Sequence, residues 1–156
     1  MKPRTLTPAP DETIHGRGFR MTEQRRAVYD AIMEKRDHPT AVEVFTRVRR
    51  RKPSISLATV YNCLETLSDC ALVKTVNLER GPARYCPNLE EHAHFHCEKC
   101  GDVIDLPLRA RRQPHDVWIL PDQLSITRHE VAFRGLCPLC TARKNQKSET
   151  RNQKSK

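Results

Sequence analysis

Two Cys-x-x-Cys knuckles place the tightest limit on what this chain can fold into: Cys97-Glu98-Lys99-Cys100 and Cys137-Pro138-Leu139-Cys140. Zinc favours four soft or borderline ligands in a tetrahedron, and paired knuckles supply them. One such pair is a weak signal; two in one short chain are a strong one, although the loop between them is longer than in an ordinary finger. Aromatic residues make up only 5% of the chain, so any core is modest and a metal staple would strengthen it. His92, His94 and His96 alternate into the first knuckle, and on a strand residues at that spacing share one face.

A length of 156 residues suggests one domain or two small ones. The net charge is +9, but more than half of it lies after Cys140, where Arg143, Lys144, Lys147, Arg151, Lys154 and Lys156 face the single acid Glu149. A solvated basic tail explains that excess as well as nucleic acid does. No apolar run approaches the ~20 residues that span a bilayer, and the N-terminus lacks the apolar core of a signal peptide. With seven cysteines, a reducing compartment is expected, where thiols bind metal rather than pair. The expected location is cytoplasmic, with no membrane partner.

Residues 1–17 carry Pro, Thr and charge without a period and read as a disordered arm. A first helix is expected from the Thr22 cap, with Val28, Ala31 and Ile32 as its apolar face. Asp37-His38-Pro39 ends it. Thr40-x-x-Glu43 is a capping box that opens a second helix with Val44, Phe45 and Val48 inward. Arg47, Arg49, Arg50, Arg51 and Lys52 make its end basic, and Pro53 stops it. A third helix is expected from Leu57 to about Ser68, burying Leu57, Val60, Leu64 and Leu67. Its other face, with Ser56, Ala58, Thr59, Tyr61 and Asn62, is short and hydrogen-bonding, which suits a major groove. Three such helices match a helix-turn-helix, or more plainly a three-helix bundle. Cys63 and Cys70 read as small buried residues. Strands at 71–76 and 83–86 around Gly81-Pro82 form a hairpin, the wing of a winged helix.

The second half opens at the histidine run. Strands are expected at 94–96, 102–106 and 124–135, with 107–122 ambiguous because Pro107, Pro114 and Pro121 break any helix.

Taken together, Ser56-Leu57-Ala58-Thr59-Val60-Tyr61, His92-x-His94-x-x-Cys97-x-x-Cys100-Gly101 and Cys137-x-x-Cys140 resemble the ferric-uptake-regulator (Fur) family of bacterial metal-dependent repressors, over roughly residues 18–141. The resemblance implies an α+β fold: an N-terminal winged helix-turn-helix domain at 18–87, a hinge at 88–91, and a C-terminal zinc-stapled α/β dimerisation domain at 92–141, flanked by the arm at 1–17 and a basic disordered tail at 142–156. It implies a homodimer on a palindromic double-stranded DNA operator. It assigns Cys97, Cys100, Cys137 and Cys140 to structural Zn²⁺, and His38, His92, His94 and Asp105 to a regulatory divalent metal. The remaining regulatory position, often acidic in the family, is Cys86 here.

A thiolate at Cys86 favours Zn²⁺ over Fe²⁺ or Mn²⁺ and resembles the zinc-uptake branch. Asp105 and Asn62 resemble the peroxide-sensing branch. Cys86 as a redox thiol is a third reading. A further family site falls at Glu91, Ala93, Arg112 and His129; Ala93 cannot ligate and Arg112 would repel a cation, so His129 is expected to be a sheet histidine. On DNA, Tyr61 would meet a thymine methyl, Asn62 a base edge, and Arg17, Arg20, Arg47 and Arg49 to Lys52, with Arg50 among them, the phosphates. A zinc hydrolase or deaminase is disfavoured, since a deaminase run needs a His-x-Glu before its knuckle and His92-Ala93-His94 has none. A zinc-ribbon interaction module without a DNA role is the other alternative.

Overall fold

The computed structural model describes residues 9–35, 37–77, 81–108, 119–121, 123–127 and 129–142. The chain divides into two compact units, Met1–Leu89 and Glu90–Lys156, and each is built from a different kind of local signal.

The first unit is helical with a small hairpin. Helix α1 spans Pro10–Gly16, within the arm expected to be unstructured. Pro10 sits in the first turn, where its missing N–H costs nothing, and Asp11 and Glu12 complement the helix dipole. Ile14 is fully buried, and Asp11 pairs with Arg26. Gly18, at φ +80°, closes the helix in a Schellman turn: its N–H donates to His15 O (2.9 Å) and that of Phe19 to Ile14 O (3.0 Å). A lone buried isoleucine among polar residues carries no periodicity, which is why the sequence pattern missed this helix.

Helix α2 (Glu23–Met33) starts where Thr22 accepts from the Arg25 N–H, and buries Val28, Ala31 and Ile32. Helix α3 (Ala41–Arg49) has the expected capping box, with Thr40 N–H donating to Glu43 Oε2 (2.7 Å) and Glu43 N–H to Thr40 Oγ1 (3.2 Å). Helix α4 (Leu57–Asp69) is capped by Ser56, which accepts from the Thr59 N–H (3.0 Å). Val60, Leu64 and Leu67 are fully buried beside Cys63 and Thr66; Leu57 is only half-buried. A second Schellman turn ends α4, with Leu72 N–H on Leu67 O and Ala71 N–H on Ser68 O, both 2.9 Å. Ala71 adopts φ +54° there, a left-handed position that usually takes glycine. Because the turn consumes residues 70–72, strand β1 begins at Lys74 (Lys74–Val76) rather than at Ala71. It pairs antiparallel with β2 (Arg84–Cys86). The expected turn at residues 79–82 lies partly outside the described residues. One core joins α1 to α4, Leu72, Val73 and Tyr85.

The second unit is a three-stranded sheet in the order β4-β3-β5. The central β3 (His92–Cys97) pairs antiparallel with β4 (Val103–Pro107) and parallel with β5 (Ala132–Gly135). The strand expected over 124–135 is thus confined to its last four residues, with the Val131 carbonyl just ahead of it accepting from the His94 N–H (3.1 Å). Residues 138–142 are helical, so the second knuckle opens a helical turn instead of running straight into a tail. The ambiguous segment, apart from a few residues at its ends, and the basic tail from 143 onward lie outside the described residues. No helix among the described residues is long and apolar enough to cross a membrane.

Candidate metal centres and reading face

The two knuckles meet. The sulfurs of Cys97, Cys100, Cys137 and Cys140 all lie within 4.8 Å of one another, with Cys100 Sγ 3.7 Å from Cys137 Sγ. Four sulfurs at ~2.3 Å from one zinc ion have tetrahedral edges of about 3.8 Å, so the spacing fits that ion. The fold builds the cluster at the ends of two neighbouring strands, the central β3 and the edge strand β5. Parallel pairing sets Cys97 beside Gly135, and Glu98 N–H donates to Gly135 O (2.8 Å). Gly101, at φ +72°, turns the first knuckle so that its N–H reaches Cys97 O (2.9 Å). Phe95 and Leu136 pack on Cys97, Cys137 and Cys140, so this small core is made largely of ligand sulfur.

The electrostatics are those of thiols crowded together. The backbone amides of Cys100 and Cys137 hold the Cys97 thiol down to about 6; the Cys137 N–H lies 3.3 Å from its sulfur. At Cys100 the Asp102 amide favours the thiolate, but the hydrogen bond with the Cys97 sulfur and desolvation outweigh it, and the thiol is pushed up to about 12. Desolvation, then the Cys137 sulfur, raise Cys140. Once one sulfur is ionised its neighbours keep their protons. A divalent ion removes that conflict by taking all four as thiolates.

A second donor group stands on the other side of the same strand. Period-two alternation turns His92 and His94 away from Cys97, and antiparallel register puts His94 opposite Asp105. His92 Nε2 lies 2.9 Å from His94 Nε2 and 3.1 Å from Asp105 Oδ1, and His94 Nε2 is 3.5 Å from that oxygen. Ligands ~2.1 Å from one ion stand about 3.0–3.4 Å apart in octahedral or tetrahedral geometry, so these three atoms form a ready face for a metal. His92 Nδ1 is 2.7 Å from Glu90 O. A proton on Nδ1 donated to that carbonyl leaves Nε2 as the ligand atom, the usual supporting bond of a metal-binding imidazole.

In the first unit, His38 and Cys86 are both buried and their ligand atoms lie within 4.8 Å. The hairpin explains this. Thr40 and Arg84 form an antiparallel bridge and Tyr85 N–H donates to Pro39 O (3.0 Å), so His38 and Cys86 fall at one level. The Asn88 N–H points at Cys86 Sγ (3.4 Å). Of the further family positions, Ala93 is buried, Arg112 is outside the described residues, and His129 lies off the strands, 3.2 Å from Glu91 Oε1, so it is not the sheet histidine expected. Cys63 and Cys70 are buried in the first core, where desolvation raises both thiols.

Ala58, Tyr61 and Asn62 are exposed along one face of α4, with Thr59 half-buried. Ser56 is exposed but its hydroxyl is committed to the helix cap. Arg17, Arg20, Arg49 and Arg50 are exposed, Arg49 lying over the Phe45 ring. Three of the cations expected on phosphates are instead tied down: Arg47 bonds Asp37 Oδ2 (2.7 Å), Arg51 bonds Glu34 (2.8 Å) and Lys52 bonds Glu23 (2.8 Å). Sequence reasoning also passed over Arg84, whose Nη1 donates to His38 O (2.9 Å); its one signal was its place beside Tyr85-Cys86.

Residues 16–133 match the model of the ferric uptake regulator family. The chain is 30% identical over 123 residues to the peroxide-responsive repressor PerR of Staphylococcus epidermidis, covering 79% of this chain and 82% of that one. It is also 30% identical over 138 residues to the ferric uptake regulation protein of Bacillus subtilis, covering 85% and 93%. Among solved structures, the Campylobacter jejuni peroxide stress regulator superposes with a TM-score of 0.61 at 29% identity, over 75% of this chain and 88% of that one. The Vibrio cholerae ferric uptake regulator gives 0.67 at 22% identity over 83% and 100%, a likeness of fold. With its cysteine cluster, its imidazole–carboxylate face and its capped helices in the family's order, this chain belongs to the ferric uptake regulator family.

Proposed function

We propose that this protein is a metal-dependent, sequence-specific DNA-binding transcriptional repressor, active as a homodimer on a palindromic operator. The observation that carries this reading is the His92–His94–Asp105 face, with ligand atoms 2.9 to 3.5 Å apart. Two imidazole nitrogens and a carboxylate oxygen at these separations can ligate one divalent ion together. His38 and Cys86, from the first unit, are the donors that would complete a regulatory site; a divalent ion held by both sets would fix the angle between the units. In a dimer that angle sets the separation of two α4 helices, which must match half-sites about 34 Å apart. Metal and DNA then strengthen each other's binding. The cysteine cluster plays the other part: Zn²⁺ there supplies folding energy and no signal.

On DNA, Tyr61 and Asn62 read base edges with Ala58 and Thr59 beside them, Ser56 holds the start of α4, and Arg17, Arg20, Arg49 and Arg50 contact phosphates. The Cys86 thiolate tilts the regulatory site towards Zn²⁺ over Fe²⁺ or Mn²⁺. Selection of duplexes from a random DNA pool tests the reading, run once with Zn²⁺ or Mn²⁺ and once with chelator. An inverted repeat enriched only with metal supports it. Enrichment of nothing, or of the same sequences in both pools, overturns it.

A further inference from the structure

We propose that Arg84 is a positioning residue that couples the His38–Cys86 donors to the helix-turn-helix. The inference rests on reading those two residues as metal donors. One atom, Arg84 Nη1, donates to the His38 carbonyl (2.9 Å) and lies 3.6 Å from Glu43 Oε2. That same Glu43 oxygen accepts from the Thr40 N–H (2.7 Å) and hydroxyl (2.9 Å), the capping box that starts α3. A continuous run of polar contacts therefore links the backbone of a donor residue to the first turn of the helix packed against α4.

Two further observations mark Arg84 as placed for this and not merely filling space. Its side chain is only 17% exposed, and its Nε is buried with no hydrogen-bond partner, an expense that a surface arginine avoids by turning to water. His38 adopts φ +52°, a left-handed conformation that a non-glycine residue keeps only when its surroundings impose it. Arg84 on its carbonyl and the Tyr85–Pro39 bond beside it are what impose it. Any rotation of the His38 backbone on metal binding moves the oxygen that Arg84 holds, and with it the charge balance at the α3 cap. Lysine keeps the charge but not the guanidinium's planar shape and its spread of N–H donors, so Arg84→Lys tests the geometry of the contact rather than its charge.

The test uses the full chain and an inverted-repeat duplex obtained by selection with metal. Fluorescence anisotropy gives DNA affinity with Zn²⁺ and with chelator, and a Zn²⁺ titration gives metal affinity, for wild type, Arg84→Lys and Glu43→Gln. Couplings of this kind are typically about 5- to 150-fold. The expected result is that both variants keep Zn²⁺ affinity within about threefold while the metal-induced gain in DNA affinity falls by at least about fivefold, on the scale of such couplings. Glu43→Gln retains a capping oxygen, so it reads the link separately from helix stability. A full metal response in both variants, with only thermal stability lowered, overturns the inference alone. A wild type whose DNA affinity ignores metal overturns both it and the function proposed above.

Discussion

His94 and Asp105 face each other across the antiparallel pair β3–β4, with His94 Nε2 3.5 Å from Asp105 Oδ1. The pairing brings a carboxylate to an imidazole pair that strand alternation had already aligned. On the opposite side of β3 the same alternation delivers Cys97 to the sulfur cluster. One strand thus carries the cysteine cluster on one side and the imidazole–carboxylate face on the other; under the function proposed above the first holds the fold together and the second regulates, and the two should respond differently to substitution.

Cys137→Ser tests the first of these. Structural zinc contributes about 10–16 kcal/mol in small domains, comparable to the whole stability of a typical protein at about 5–15 kcal/mol. The variant is expected to lose its tightly held zinc by mass spectrometry and to lose the β signal in circular dichroism, while helices α2 to α4 persist because their core includes none of the cluster sulfurs.

Metal choice is expected to turn on Cys86. Replacing its sulfur with a hard oxygen in Cys86→Asp should shift preference from Zn²⁺ towards Mn²⁺ or Fe²⁺. Competitive titration of the two ions checks this, with the cluster zinc counted separately. An unchanged preference would mean that Cys86 is not a ligand.

Acid stability of the first unit should follow two carboxylates. Burial opposes the ionisation of Asp37, yet Lys35 and Arg47 outweigh it and hold it below the usual carboxylate range. Burial likewise opposes Glu43, and Thr40 with Arg84 and Arg47 outweighs it. Both contribute stability that is present above the ordinary carboxylate range and is lost as pH falls through their lowered folded-state values. Asp37→Asn should therefore flatten the acid limb of a stability–pH curve. Thr40→Ala should cost about 1 kcal/mol at neutral pH through the lost cap, read by urea denaturation.

On DNA, Asn62→Ala should relax the preferred base at one position of each half-site at a cost of about 1–3 kcal/mol. Arg50→Ala should weaken all duplexes alike and reduce the salt slope by about 1. Binding isotherms at several salt concentrations separate the two. Equal behaviour of both variants would mean that α4 does not read bases.

How far the sequence foretold this structure depends on how local each signal was. The caps at Thr22 and Thr40 are written within four residues of chain, and both formed as expected; Ser56, expected on the reading face of the third helix, is its cap. The β3 alternation was equally plain. Helix α1 was not legible, because its single buried contact, Ile14, comes from a tertiary core. The late start of β1 was hidden by a Schellman turn built on Ala71, where the pattern rule looks for glycine. Strand β5 is shorter than the expected 124–135 because its ladder with β3 begins only at Ala132, while Leu124 is drawn into a turn with its N–H on Pro121 O. Arg47 looked like part of a basic face, and only the position of Asp37 in space shows it committed to an ion pair. Spacing brought His92 and His94 together; the closeness of Asp105 to them follows from sheet register, which spacing does not encode.

The central claim is that metal at His38 and its companion donors governs DNA binding, and affinity for the selected duplex with Zn²⁺ and with chelator, in wild type and His38→Ala, tests it most directly. The account predicts tight binding by wild type only with metal, and weak binding by His38→Ala in both conditions with its cluster zinc retained. Tight, metal-independent binding by wild type, or an undiminished metal response in His38→Ala, would contradict it.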